Sequence, residues 1–197
     1  MVAALPENSV QVESRFEWRR WLAANYTRTE GIWLITYKKL PDKPYVAYND
    51  VVEEALCFGW IDSKPNKLDD DRTMLWFAPR QPGTGWSALN KKRIEAMTAA
   101  GLMMPAGLAK IEAAKQDRSW EKLDAIERLE IPIDLAAALA DNDLAKANFE
   151  AFPRSAKRGI LEWIASAKRA ETRQRRIAET VDLAAQNIRA ASWSKRS

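Results

Sequence analysis

Hydrophobic side chains along this chain repeat with two different periods, and the change between them divides it. From Ser14 to Pro79, helical stretches alternate with runs of strand character; from Trp86 onward the spacing is helical throughout. Ser14-Arg15-Phe16-Glu17 is an S-x-x-E capping box, whose two side chains satisfy amide donors left open at a helix start. Trp18, Trp21, Leu22 and Asn25 follow at i, i+3, i+4 and i+7, which predicts one helix face turned to a core. Ile32–Tyr37 is rich in β-branched and aromatic residues and predicts a strand. Asp50, with Glu53 three residues on, is expected to open a second helix with an apolar face of Val51, Val52, Ala55 and Leu56, and Gly59 is placed to stop it. Runs over 60–66 and 72–78, joined by the polar turn Lys67–Asp71, predict two more strands, and with 32–38 a small antiparallel sheet.

After Trp86, Gly101, Pro105, Pro132 and Pro153 punctuate helices expected over 87–100, 106–116, 133–140, 143–151, 154–168 and 171–188. In the first of these, Leu89, Ile94, Met97 and Ala100 fall within an arc of about 140°. In the fifth, Ile160, Trp163, Ile164 and Ala167 form the apolar stripe. The fold class is therefore α+β: an α+β domain over residues 1–90 with a small antiparallel sheet, then an all-helical C-terminal region over 91–197 packed on it.

Composition removes chemistry more than it adds it. The 197 residues include one Cys and no His. An internal disulfide is excluded, and so are Ser–His–Asp hydrolysis, Cys–His proteolysis and zinc hydrolysis of the HExxH type. No metal and no cofactor is expected. The N-terminus, Met1 to Asn8, has no basic stretch ahead of an apolar core, and the longest apolar run is Leu135–Ala140. These features predict a cytoplasmic chain without a membrane span, with Cys57 reduced.

The 31 Lys and Arg against 27 Asp and Glu give a net charge of +4, unevenly spread. Residues 1–90 hold 11 basic and 12 acidic side chains, whereas residues 151–197 hold 11 and 4. A basic tail can be a footprint for phosphates. Here Glu171, Arg175 and Glu179, spaced i, i+4, i+8, point instead to an ion-pair ladder on a solvated helix face. With no recognisable nucleic-acid-binding motif, no specific nucleic acid is expected.

Candidate chemistry is sparse. Cys57 falls late in a helix among apolar neighbours, where a thiol behaves as a small hydrophobe. Asp62, Asp69, Asp70 and Asp71 lack the spacing of a calcium loop, and Gly83 and Gly85 form neither a dinucleotide nor a phosphate fingerprint. Trp60, Asp62, Lys64, Arg72, Trp76, Arg80 and Trp86 gather around the expected sheet, and Trp with Arg is the usual material of binding hot spots. By strand alternation, Trp60 shares a face with Asp62, and Met74 with Trp76. These seven residues are the candidate ligand or partner site.

Ala55-Leu56-Cys57-Phe58-Gly59-Trp60-Ile61-Asp62, Phe77-Ala78-Pro79-Arg80, Trp86-Ser87-Ala88-Leu89-Asn90-Lys91, Met104-Pro105-Ala106-Gly107-Leu108 and Glu171-Thr172-Arg173 occur in that order. With Lys157-Arg158, Trp163-Ile164 and Ala167-Lys168, this set resembles the bacteriocin-protection, YdeI/OmpD-associated family from about Phe16 to Leu183. Gln81, Ser63 and Leu102 depart from its usual residues. The resemblance implies an N-terminal part similar to the YjbR/CyaY-like class and a role in tolerance to bacteriocins or cationic peptides. It implies no reaction and no catalytic residues. The favoured expectation is a cytoplasmic, non-enzymatic protein that binds a protein partner or a small anionic ligand. Two alternatives stay open: an enzyme using Cys57 or the Asp62/Lys64 pair, and a nucleic-acid-associated protein using the basic C-terminal helices.

Overall fold

The computed structural model describes residues 4–191. Met1 to Ala3, and Trp193, Lys195 and Arg196 of the basic tail, lie outside the described residues. The chain divides into two compact units, the first ending at Lys122 and the second beginning at Leu123.

In the first unit, β1 (Ser9–Gln11), β2 (Ile32–Tyr37), β3 (Trp60–Lys67) and β4 (Arg72–Pro79) form a four-stranded sheet of order β1-β2-β4-β3. The three expected strands are there and pair antiparallel, β2 with β4 and β3 with β4. The sheet is nonetheless mixed, because β1 pairs parallel with β2 through Val10 and Leu34. Three residues are too few to show a period, so pattern reading missed β1.

Helix α1 (Arg15–Asn25) begins as the capping box predicts: the Glu17 amide donates to Ser14 Oγ at 3.2 Å. The Glu17 carboxylate accepts from the amide of Glu13, one residue ahead of the cap, at 2.8 Å. Helix α2 (Tyr48–Cys57) starts earlier than expected, with Ala47 as an N-cap that makes no side-chain bond and Asp50 in its first turn. Asp50 points to Arg15 instead, at 3.0 Å. Gly59 ends the α2 segment at φ +76°, a conformation that costs glycine little. Helices α3 (Ala88–Ala99) and α4 (Pro105–Gln116) complete the unit. A Cβ added to Gly107 would stand 2.2 Å from the Cys57 carbonyl oxygen, so α4 crosses the end of α2 at a distance only glycine allows.

Trp18, Leu22, Leu34, Val52, Leu56, Trp60 and Phe77 form the heart of one core, and Trp86, Ile94, Met97 and Ile111 belong to the same cluster. The texture of the sequence changes at Trp86, but the packing does not divide there. Leu89, expected in the apolar arc of α3, is 57 % exposed. Arg93 is buried in its stead, with its guanidinium held by Asn90 Oδ1 at 2.9 Å and Asn49 Oδ1 at 2.6 Å. Glu54 is buried too and accepts from Arg15 and Arg19, both at 2.6 Å, which ties α1 to α2.

The second unit contains α5 (Asp124–Glu127), α6 (Ile133–Ala140), α7 (Asp143–Ala151), α8 (Arg154–Ala165) and α9 (Ala170–Ala185). Only the four-residue α5 was not anticipated. Leu135, Leu139, Phe149, Ile160, Leu161 and Ile164 are the centre of its core. Each such side chain contributes roughly 1.5–3 kcal/mol on burial. Asn142 caps α7 by accepting from the Ala145 amide at 3.0 Å. In α8, Leu161 takes the core place expected of Trp163, which lies half-buried under Arg176. The expected Glu171–Arg175–Glu179 ladder is not formed, and Arg173 bonds Asp134 of α6 at 2.7 Å. An exposed i, i+4 pair gains only about 0.3–0.5 kcal/mol, so the helix loses little where one is not made.

Candidate functional site

Between the helix-facing side of the sheet and residues 45–51 the first unit holds a cleft of about 400 Å³. That size suits a small ligand, for which pockets run roughly 300–1,000 Å³. Strand alternation puts Leu34 and Thr36 on this side of β2, and their register with Leu75 and Thr73 brings those β4 residues beside them. Val46 and Val51 add apolar wall from the opposite side. In β3 the pairing shifts between Asp62 and Pro65, a break that Pro65, which has no amide hydrogen to donate, can occupy at an edge strand.

Asp62 is the acidic residue of the cleft. Its Oδ2 accepts from the Tyr48 hydroxyl at 2.7 Å. Although the ring is half exposed, desolvation of its hydroxyl and this hydrogen bond push the Tyr48 phenol up to about 12, so it stays a donor at any ordinary pH. Lys38 also lines the cleft, but its ammonium donates to the carbonyls of Asp69 at 2.9 Å and Asp70 at 2.6 Å.

The seven residues singled out in the sequence are not one site. Asp62 lines the cleft, and Trp60 lies beneath the same face, fully buried, donating to the Tyr26 carbonyl at 3.2 Å. Trp76 is on the other side of the sheet, since Asp62 pairs with its neighbour Phe77. There it lies against Gly31 and edge-on to Trp33. Lys64 is exposed. Arg72 is bound by Asp69 at 2.7 Å and by Gln11 at 2.8 Å, and it holds the Asp69 carboxyl down to about 2. Arg80 and Trp86 do come together, guanidinium over ring at 3.6 Å, with a second bond from Arg80 Nη2 to the Gly85 carbonyl at 2.8 Å. Both are buried, and desolvation lowers the Arg80 guanidinium to about 10. That pair is part of the core.

Thr36, Tyr45, Tyr48 and Thr73 line the cleft and were missed. The one sequence signal for them was Tyr45-x-x-Tyr48 behind Pro44, two tyrosines at the exit of a loop. Cys57 is fully buried, and burial with the nearby Glu54 charge raises its thiol to about 11, far from a reactive thiolate. Among the described residues no group of His, Cys, Asp and Glu is placed to hold a metal ion, and no helix is long and apolar enough to cross a membrane. The second unit has a smaller pocket of about 110 Å³ beside Phe149 and Leu161.

Two sequence families match, one on each side of Lys122. The model of a domain of unknown function, DUF8412, matches residues 10–110, just over half of the chain. The chain belongs to the DUF8412 family. Bacteriocin-protection, YdeI or OmpD-Associated, the family that the sequence resembles, matches residues 128–187. The DUF8412 region thus contains the cleft, and the YdeI/OmpD-associated region is the helical unit. None of the curated proteins matches the chain, and none of the solved structures does.

Proposed function

We propose that this protein is a cytoplasmic, non-enzymatic binding protein of the YdeI/OmpD-associated type, which takes a small ligand in the cleft of its DUF8412 unit and serves tolerance to bacteriocins or cationic peptides. The observation that carries the reading is the cleft itself: apolar walls, with the Tyr48–Asp62 pair as a fixed polar contact at one side.

The groups that would support an enzyme are elsewhere or apart. Cys57 is sealed in the core. Asp62 is bonded to Tyr48, and the exposed Lys64 is not in ion-pair reach of it. A phosphate-binding role for the basic helices is also disfavoured. Arg158 is committed to Glu127 and Glu162, Arg173 to Asp134, and Arg176 to the Trp163 carbonyl and Ser166.

Amide NMR during titration with a small-fragment mixture tests the reading. Shifts should gather at Thr36, Tyr48, Asp62 and Thr73 and vanish in Thr36→Phe, whose ring fills the cleft. Saturable shifts confined to other surfaces, or none at all, would refute it.

A further inference from the structure

Resting on that reading of the cleft, the geometry points to the class of ligand: we propose that the site takes an organic cation, a primary ammonium on an apolar tail, with the ammonium against Asp62 and the tail over Leu34 and Leu75. Asp62 accepts one hydrogen bond, from Tyr48 to Oδ2. Its Oδ1 has no partner among the described residues, and neither Lys nor Arg comes within 4 Å of the carboxylate. The buried Arg80 guanidinium feels the Asp62 charge but makes no ion pair with it, so Oδ1 is an acceptor left open. An ammonium has three hydrogens to donate, and a charge-assisted bond to a carboxylate is about twice as strong as a neutral one.

The aromatic surroundings favour the same charge. Tyr45 is 49 % exposed and Tyr48 51 %, and both line the cleft. Phenol rings present a negative face, which attracts a cation within about 6 Å. The Tyr48 ring already has the Arg93 guanidinium at 5.7 Å, and Arg93 faces inward to Asn49 and Asn90. An anion would find less. Lys38 is held at the β3–β4 turn beside the Asp70 charge, Lys43 lies over the Tyr37 ring at 5.4 Å, Arg72 is closed by Asp69, and Arg80 is covered by Trp86. Tail length is bounded by the volume of about 400 Å³, and the floor of Leu34, Val51 and Leu75 is apolar.

Calorimetric titration of the full chain with three probes of one tail length tests the proposal: hexylammonium, 1-hexanol and hexanoate. Hexylammonium is expected to bind about tenfold or more tighter than either of the others, the size of one hydrogen bond to a charged group. Asp62→Asn should bring hexylammonium down to the hexanol affinity and leave hexanol unchanged, whereas Tyr48→Phe should keep the preference. Equal affinity for the three, a preference for hexanoate, or an ammonium preference that survives Asp62→Asn overturns the cationic assignment and leaves the cleft as a site. No saturation by any probe, or amide shifts away from Thr36 and Thr73, overturns both. If Asp62→Asn proves unfolded by circular dichroism, the ranking on the unaltered protein decides alone.

Discussion

The two units use their charged residues in opposite ways. The first buries Glu54, Arg72, Arg80 and Arg93, each less than a tenth exposed, and gives each fixed partners: Arg15 and Arg19 for Glu54, Asp69 for Arg72, the Trp86 ring for Arg80, and Asn49 and Asn90 for Arg93. In the second, the one buried polar residue among those described is Thr180, which donates to the Arg176 carbonyl at 2.8 Å. Its core is aliphatic with Phe149 and Phe152, and its ion pairs stay at the surface. A buried charge must be hydrogen-bonded in a particular geometry, so it dictates where its neighbours sit. An aliphatic core asks only for volume. The unit that holds the cleft, with its fixed Tyr48–Asp62 contact, is also the one whose interior is directional, because preorganised polar groups need fixed supports.

Breaking the buried network should have the largest effect. Glu54→Ala removes the buried carboxylate that Arg15 and Arg19 share, leaving Arg15 with Asp50 and Glu53 and Arg19 with the Leu102 carbonyl, and is expected to cost about 3 kcal/mol in urea unfolding. A loss under about 1 kcal/mol would mean that water replaces the carboxylate and that the contrast between units is overstated. Gly107→Ala comes next, at about 1–3 kcal/mol, because the new methyl meets the Cys57 carbonyl and α4 must retreat. In the second unit, Asn142→Ala removes the α7 cap and should cost about 1 kcal/mol. Arg173→Ala, which cuts the α6–α9 ion pair, should fall between about 0 and 1 kcal/mol and be masked further by salt. If Arg173→Ala destabilised as much as Glu54→Ala, the two kinds of charge would not differ.

The smallest effect concerns Tyr48 and sharpens the picture of the cleft. Its phenol is held above the ordinary 10.0, at about 12, by desolvation of the hydroxyl and by the bond to Asp62. A raised value in the folded state stabilises below pH 10 and is lost as pH climbs from 10 through about 12. Absorbance titration should therefore show one tyrosine ionising late, and Asp62→Asn should advance it. A Tyr48 that titrates with the other tyrosines would show that the hydroxyl does not face Asp62.

Much of this architecture is written in local pattern. The capping box at Ser14, the strand at Ile32–Tyr37 and the stop at Gly59 depend on a few adjacent residues and on backbone preferences that act within one turn or one strand. The helix breaks at Gly101, Pro132 and Pro153 are of the same kind, and together these settled the α+β class and most helix positions. What remained depends on partners distant in the chain. Trp60 and Trp76 look equivalent in sequence, and only the β3–β4 register, which sets Asp62 opposite Phe77, puts Trp76 on the other face. The arc that promised Leu89 to the core of α3 yielded to Arg93, because Asn49, more than forty positions earlier, supplies its acceptor. The cleft is the extreme case: Leu34, Tyr48, Asp62 and Thr73 come from four elements, and no periodicity within one of them encodes the space they enclose. Local sequence determines elements because backbone preferences act over a few residues; the site appears only when register and packing choose which faces meet.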